Sequence, residues 1–372
     1  MTDFTQQDYR CMARAMQLAR RGEFTARPNP MVGCVLAVGE EIVGEGWHEE
    51  AGGPHAEVAA LLVAADRARG ATAYVTLEPC AHTGRTGPCA DALITAGVGR
   101  VVAALQDPFP AVAGQGFAKL RAAGVTVDVG LMQDAARALN RGFLSRIERR
   151  RPFVRLKMAS SLDGATAMSA GESQWITGTA ARHDVQRLRA LSGAVLTGAG
   201  TVKADDPLLN VRDPFPGGRQ PLRVLLDSRL TIDHRARMLH DDTATLVFCI
   251  DDSDGGRFAA TNAEIVKVVA NDGKPSLQAV FEELTVRHVN DLLVEAGPTL
   301  AGNLLMANLV DELVIYQAAH IMGSQTKGLV ATPNWTQLLD RLPLRVVDRR
   351  VVGTDLRITA VPAARPTTHT GR

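Results

Sequence analysis

Apolar runs of strand length alternate with helical segments along nearly the whole chain, and that alternation decides the fold class. A strand that runs into a helix returns to pair in parallel with its neighbour, and helices then cover both faces of the sheet. The pattern breaks once, at the basic stretch 146–152, which holds Arg146, Arg149, Arg150 and Arg151. A chain of 372 residues exceeds what one core ordinarily supports, so the break is read as a solvated linker between two α/β domains. The expected division is 1–147 for the first domain, 148–152 for the linker, 153–361 for the second domain and 362–372 for a frayed tail.

In the first half a helix is predicted over 5–21. Thr5 and Asp8 form a capping box, and Tyr9, Met12, Ala13 and Met16 share one face. Pro28-Asn29-Pro30 must be a loop, because a residue before proline is driven from the helical region. Strands are predicted at 33–38, 41–45, 71–77, 101–105 and 125–129. Helices are predicted from 55 with Val58, Leu61 and Leu62 apolar, then at 88–96, 115–123 and 133–147. In the second half strands are predicted at 153–159, 194–197, 223–227, 245–249, 264–269, 291–295 and 312–318, and helices at 179–190, 277–284 and 299–307.

His55-Ala56-Glu57 precedes Pro79-Cys80 and Cys89. One imidazole and two thiolates make three metal ligands, the count of a catalytic zinc whose fourth position stays open for water. Glu57 need not ligate. It is placed to shuttle the proton of a hydrolytic water, as in the H-x-E of the zinc nucleobase deaminases, although the residues 81–88 between the cysteines make a longer loop than that pattern's P-C-x-x-C. A closed structural site would instead need a fourth ligand, for which His82 is available, and reduced core cysteines are the other bland reading. Cys11, Cys34 and Cys249 have no partners at ligand spacing and are read as packing residues. His48 is read as a loop or supporting histidine.

The second half lacks a complete G-x-G-x-x-G. Three strand exits carry the chemistry instead. Lys157 leads to Ser161-Leu162-Asp163-Gly164; Thr197 leads to Gly198-Ala199-Gly200-Thr201 and on to Asp205-Asp206-Pro207; Glu295 leads to Gly297-Pro298-Thr299. Exposed backbone N–H groups at such a helix start suit a phosphate or pyrophosphate. Each exit taken alone is equally well a tight turn or an N-cap.

The order PNPMVGCV, HAEVAAL, TLEPCAHTGRTGPC, then K-x-A-x-S-L-D-G, G-E-S-x-W-I-T, G-x-G-T-x-x-x-D-D-P and E-A-G-P-T-L closely resembles the bacterial bifunctional riboflavin-biosynthesis deaminase–reductases, from about Asp8 to Val361. That family's inter-cysteine loop usually ends Thr-Pro-Pro-Cys; here it is Thr86-Gly87-Pro88-Cys89. The resemblance implies two three-layer α/β domains, the first cytidine-deaminase-like and the second dihydrofolate-reductase-like. It implies one zinc ion per chain on His55, Cys80 and Cys89, with Glu57 catalytic and Asn29 contacting the base. It implies NADPH contacts from Ala159, Trp175, Thr201, Asp205, Ser228, Gly297, Pro298, Thr299, Leu300, Ala301, Gly302 and Asn303. Substrate contacts fall to Ser173, Arg189, Leu209, Arg212 and Glu295, with Lys157 and Asp163 as further polar groups of the reductase site. Arginine suits a sugar phosphate because its guanidinium makes paired hydrogen bonds to phosphate oxygens. The expected reactions are hydrolytic deamination of a phosphoribosylamino-diaminopyrimidine, then NADPH-dependent reduction of its ribosyl group to ribityl.

Composition narrows the rivals. Forty-one Lys+Arg against 40 Asp+Glu gives a net charge of +1, and aromatics are 4%, which disfavours a nucleic-acid-editing deaminase with its basic, stacking surface. A reductase half reduced to a binding module is disfavoured by Lys157, Trp175, Thr201, Asp205 and Glu295. No apolar run reaches membrane-spanning length, and scattered cysteines fit a reducing cytoplasm. Members of the family associate through the reductase half, so a homodimer or tetramer is expected, with a small phosphoribosyl-pyrimidine as substrate and no nucleic acid or membrane partner.

Overall fold

The computed structural model describes residues 3–81, 87–110, 112–252 and 254–363. The chain divides into two units, Met1–Arg151 and Pro152–Arg372.

The first unit runs α1 (Gln6–Ala19), β1 (Gly33–Val38), β2 (Glu41–Trp47), α2 (Ala56–Ala64), β3 (Thr72–Val75), α3 (Cys89–Thr95), β4 (Arg100–Ala103), α4 (Gln115–Ala122), β5 (Thr126–Val129), α5 (Gln133–Leu139) and α6 (Arg141–Arg149). Its sheet has the order β2-β1-β3-β4-β5, antiparallel at β2-β1 and β1-β3 and parallel beyond. Successive strand residues serve opposite faces. Cys34, Leu36, Ala73, Val75, Val101 and Ala103 pack under α2, α3 and α4, while Val35, Ala37, Tyr74 and Val102 pack under α1, α5 and α6. The result is three layers.

The capping box opens α1 as expected, with the Thr5 and Asp8 side chains each accepting the other's backbone N–H. Its buried face is rotated from the predicted one. Cys11, Met12, Ala15 and Met16 are inside, whereas Tyr9 is 52% exposed. The α2 prediction also needs correcting. Ala56, Ala60 and Ala64 face the core and Leu61 is half-buried against it as expected, but Leu62 is 74% exposed. Two glycines of β2 explain why alanines take the innermost positions. A Cβ on Gly44 or on Gly46 would lie 2.4 Å from the Ala60 or Ala56 carbonyl oxygen, so the helix sits too near the sheet for anything larger than alanine between them. That close approach fixes where α2 begins.

The predicted single helix 133–147 is two helices broken at Asn140, and the second continues to Arg149, into the expected linker. Arg146 lies over the Phe143 ring at 5.6 Å, and the Ser145 hydroxyl donates to the Arg151 carbonyl at 2.8 Å. The basic stretch is therefore partly built into the first unit.

The second unit contains β6 (Phe153–Ser160), β7 (Ala165–Ala167), α7 (Thr179–Ala190), β8 (Ala194–Gly198), α8 (Ala199–Asp205), β9 (Leu222–Leu226), β10 (Thr245–Cys249), β11 (Ala263–Lys267), β12 (Ala270–Asn271), β13 (Lys274–Pro275), α9 (Leu277–Val286), β14 (Asp291–Glu295), α10 (Pro298–Met306), β15 (Glu312–Gln317), β16 (Lys327–Gly328), β17 (Leu344–Val352) and β18 (Asp355–Pro362). Nine strands form one sheet in the order β11-β10-β9-β8-β14-β6-β15-β18-β17, parallel up to β15 and antiparallel at β15-β18 and β18-β17. Val154, Leu156, Leu292 and Val294 pack under α9 and α10; Val195, Leu225, Leu293 and Val314 pack under α7 and α8. Sequence reasoning missed the closing hairpin β17–β18. Its signal was present: Val352 pairs with Asp355, leaving the two-residue turn Gly353-Thr354 with Gly353 at φ +64°. The expected tail beyond residue 363 lies outside the described residues.

Candidate active sites

In the first unit the metal-ligand atoms of His55, Cys80 and Cys89 lie within 4.8 Å of one another. His55 is the N-cap of α2, Cys89 is the first residue of α3, and Cys80 follows β3 by a short turn. His55 Nδ1 stands 3.1 Å from Cys89 Sγ and 3.6 Å from Cys80 Sγ. Cys80 is held on the start of α3 twice over. Its Sγ accepts the Cys89 backbone N–H at 3.3 Å, and its carbonyl accepts from Ala90 at 3.1 Å. Hydrogen bonding from the Cys89 thiol, against opposing desolvation, lowers the Cys80 thiol below its usual range, which favours the thiolate. An imidazole and two sulfurs converging from helix starts form a donor set suited to zinc. His82 lies outside the described residues. The site a Cβ would take at Gly87 is open, so the family's proline is not missed by any described neighbour.

Glu57 sits in the first turn of α2 and is 3% exposed. Burial pushes its carboxyl up to about 7, opposed by His55 and by its own backbone N–H. A carboxyl in that range exchanges protons readily near neutrality. Asn29 is tied to the same place. Its Nδ2 lies 3.0 Å from His48 Nε2, and His48 Nδ1 lies 3.0 Å from the Pro54 carbonyl. These partners fix the tautomer: Nδ1–H donates to Pro54, and Nε2 accepts from the Asn29 amide. Burial lowers the His48 pKa, which keeps the ring neutral as that chain requires. The His48 and His55 rings meet edge to face, 5.5 Å apart.

Two supporting residues escaped the sequence reading. Asn140, 4% exposed at the α5–α6 break, accepts the Met31 N–H and donates to the Met31 carbonyl, both at 2.8 Å. It thereby takes the place of a strand partner for the loop that carries Asn29. An asparagine interrupting a helical pattern was the only signal. Glu78, 4% exposed, accepts four backbone N–H groups two residues before Cys80.

In the second unit Ala159, Ser228, Glu295 and Gly297 lie at or just past the carboxyl ends of parallel strands, where open α/β sheets bind ligands. Lys157 on β6 and Glu295 on β14 are register partners, with Nζ and Oε2 3.9 Å apart. Burial lowers the Lys157 pKa, opposed by Glu295. Arg189 grips Glu295 with Nε and one terminal nitrogen at 2.6 and 3.1 Å, while its other terminal nitrogen donates to the Asn210 carbonyl at 2.9 Å. The expected phosphate-binding arginine is thus 9% exposed and already engaged by a carboxylate and a loop carbonyl. The Arg212 N–H is held by Gln186 Oε1 at 3.0 Å, and Leu209 is buried with φ +51°. Ser173 donates to Asp205 at 3.0 Å; Trp175 is 67% exposed beneath the Arg182 guanidinium. Ala159 is the penultimate residue of β6, Thr201 and Asp205 lie on α8, and Ser228 follows β9. Asp163 is drawn off into its own turn, where the Ser161 hydroxyl and the Met322 and Gly323 N–H groups hold its carboxyl at about 2.

Whether these residues fit a dinucleotide is tested by the turns. Gly198 caps α8 and Gly297 caps α10, both without a side-chain cap, and open space surrounds Gly200 and Gly297 where a Cβ would be. The Thr197 hydroxyl at the β8 exit is buried with no partner among the described residues. Uncapped N–H groups and an unpaired hydroxyl suit an anionic, hydroxyl-rich ligand. Further along α10, Ala301 belongs to the core, and a Cβ on Gly302 would lie 1.9 Å from the Ala331 carbonyl oxygen, so both are packing positions.

Residues 152–358 match the family described as RibD C-terminal domain, and residues 5–105 match the cytidine and deoxycytidylate deaminase zinc-binding region. The chain is 47% identical to riboflavin biosynthesis protein RibD of Escherichia coli, covering 96% of this chain and 100% of that protein. It is 46% identical to the Haemophilus influenzae protein of the same name, covering 97% and 99%. The solved structure of Acinetobacter baumannii RibD superposes with a TM-score of 0.90 at 41% identity, covering 96% of this chain and 99% of that one. A Thermotoga maritima diaminohydroxyphosphoribosylaminopyrimidine deaminase/5-amino-6-(5-phosphoribosylamino)uracil reductase superposes with a TM-score of 0.83 at 32% identity, covering 96% and 99%.

Proposed function

This chain belongs to the RibD family of riboflavin-biosynthesis proteins, and from that membership we propose which of its residues carry each of its two reactions. The protein is a bifunctional enzyme: a zinc-dependent deaminase followed in the chain by an NADPH-dependent reductase. It removes an amino group from 2,5-diamino-6-(5-phosphoribosylamino)pyrimidin-4(3H)-one and reduces the ribosyl group of the resulting uracil to ribityl.

His55, Cys80 and Cys89 hold the zinc, which when bound supplies a Lewis-acidic centre for activating water. Glu57 moves the protons. Its carboxylate relays both protons of the attacking water, one to the neighbouring ring nitrogen and one to the departing amino nitrogen, so water and substrate leave as ammonia and a ring carbonyl beside an N–H. Asn29, aimed by His48, hydrogen-bonds the pyrimidine edge. NADPH supplies the hydride of the second step. Gly297 and the first turn of α10 cradle its phosphates, with Ala159, Trp175, Thr201, Asp205, Ser228 and Asn303 around it. Arg212 takes the sugar phosphate, Ser173 and Leu209 line the substrate, and the Lys157–Glu295–Arg189 cluster orients the ribosyl end.

The convergence of one imidazole and two sulfurs beside a buried carboxyl carries the reading of the first reaction. The ordered pair of reactions is tested by following ammonia and NADPH together. Ammonia release must precede NADPH oxidation when the diamino compound is supplied. Oxidation at full rate without ammonia release would overturn the assignment. The protein acts in the cytoplasm, a reading supported by its unpaired cysteines and by the absence, among the described residues, of a helix long and apolar enough to cross a membrane. It acts as a homo-oligomer through the reductase half, supported by the exposed outer strand β17 with Val346, Val347 and Val351.

A further inference from the structure

We infer that Glu78 is a positioning residue for the metal centre: its carboxylate anchors the Cys80 segment to the start of α4 and so holds the Cys80 sulfur preorganised for zinc. The two carboxylate oxygens share four backbone donors evenly. Oε2 accepts from Asp107 at 3.2 Å and from Gly114 at 2.9 Å; Oε1 accepts from Gly116 at 2.9 Å and from Phe117 at 3.3 Å. The donors belong to the segment entering α4 and to its first turn, where backbone N–H groups have no helical partner and the helix dipole favours negative charge. No side chain within α4 caps it. Glu78 supplies that cap from another part of the chain.

The next residue is clamped as well. The Pro79 carbonyl oxygen lies 1.9 Å from where a Cβ on Gly116 would be, so α4 rests on the backbone of the Pro79-Cys80 turn and only glycine permits it. Cys80 is bound on its other side to α3, through Sγ and through its carbonyl. The sulfur therefore sits in a backbone segment fixed on two helix starts, one reached through α3 directly and one through Glu78. A ligand already in place loses little conformational freedom when the metal binds. Groups that orient a ligand in this way typically alter metal affinity about 10- to 100-fold when removed.

This role for Glu78 rests on Cys80 being a zinc ligand, and the experiment separates the two. Glu78→Gln keeps the shape of the side chain but turns an amide toward two of the four N–H donors; Glu78→Ala removes all acceptance. Zinc release from the full-length protein is followed with a chromogenic chelator, and thermal unfolding is recorded with and without zinc. Wild-type protein that holds no zinc would refute the ligand assignment and this inference with it. If Glu78 positions the sulfur, both variants release zinc about 10- to 100-fold faster, and the increment in Tm produced by zinc shrinks. A merely structural role predicts equal losses of Tm with and without zinc and an unchanged release rate. That result, or failure of both variants to fold, overturns the proposal.

Discussion

Replacing Asn140 by alanine isolates a contact between a helix break and the deaminase loop. The amide makes two reciprocal hydrogen bonds to Met31, each 2.8 Å long, across 109 residues of sequence. Met31 follows Pro28-Asn29-Pro30 directly, so its backbone fixes where Asn29 leaves the loop. A buried hydrogen bond contributes about 1 kcal/mol net, and two contribute about 2 kcal/mol, which equals roughly 30-fold in an equilibrium. If the loop is released in the free enzyme, binding must restore it, so KM for the diaminopyrimidine rises by up to ~30-fold. Zinc content and the KM for NADPH stay constant. The assay is ammonia release over a range of substrate, combined with a double-mutant cycle against Asn29→Ala. Because Asn140 acts through Asn29, the double variant should be little worse than Asn29→Ala alone. Additive effects, or a fall in Tm with unchanged KM, would refute the reasoning.

Glu57→Gln should stop ammonia release while NADPH oxidation with already deaminated substrate persists; equal loss of both rates would show that the two reactions are not separable. Arg212→Ala should raise KM for the phosphosugar more than for NADPH, and the reverse ranking would move this arginine to the cofactor. Asp8 gives a pH dependence. Burial alone would raise its pKa, but hydrogen bonds from Arg100, Thr5 and Tyr74 outweigh it and hold the carboxyl at about 2. A depressed carboxyl stabilises the fold above its unfolded pKa, so a contribution of about 2 kcal/mol is present above about pH 4 and is lost as pH falls toward about 2. Urea unfolding of Asp8→Asn and wild type should therefore differ at pH 6 and converge by pH 2; a gap independent of pH would mean the charge is not what stabilises.

What could be read from sequence was what depends on neighbours in the chain. The α1 capping box spans three residues, and the structure shows it formed. The strand–helix alternation depends on local pattern, and the layers follow from it. The innermost positions of α2 went unread, and Leu62 was placed inside, because the helix's neighbours are Gly44 and Gly46, on another element. Nothing within the helix says that the sheet comes so close that alanine, not leucine, must face it. The closing hairpin was missed because the exposed residues of β17 lack the apolar alternation of a half-buried strand.

The same division applies within the sites. His55, Glu57, Cys80 and Cys89 are recognisable because the chemistry demands those side chains at those spacings. The residues that aim them carry no such demand. Glu78 meets backbone groups 29 to 39 positions away, and Asn140 meets a backbone 109 positions away. Backbone donors and acceptors are the same at every residue, so no pattern of residue types announces that they will be met. Arg189 shows the converse. Its type suggested a phosphate ligand, yet its geometry first satisfies Glu295 and the Asn210 carbonyl. Of the five N–H groups of a guanidinium, three are thereby used. Any phosphate must share Arg189 with the carboxylate it orients, which leaves Arg212, whose guanidinium is free of such a bidentate partner among the described residues, as the arginine whose loss should fall most selectively on the phosphosugar.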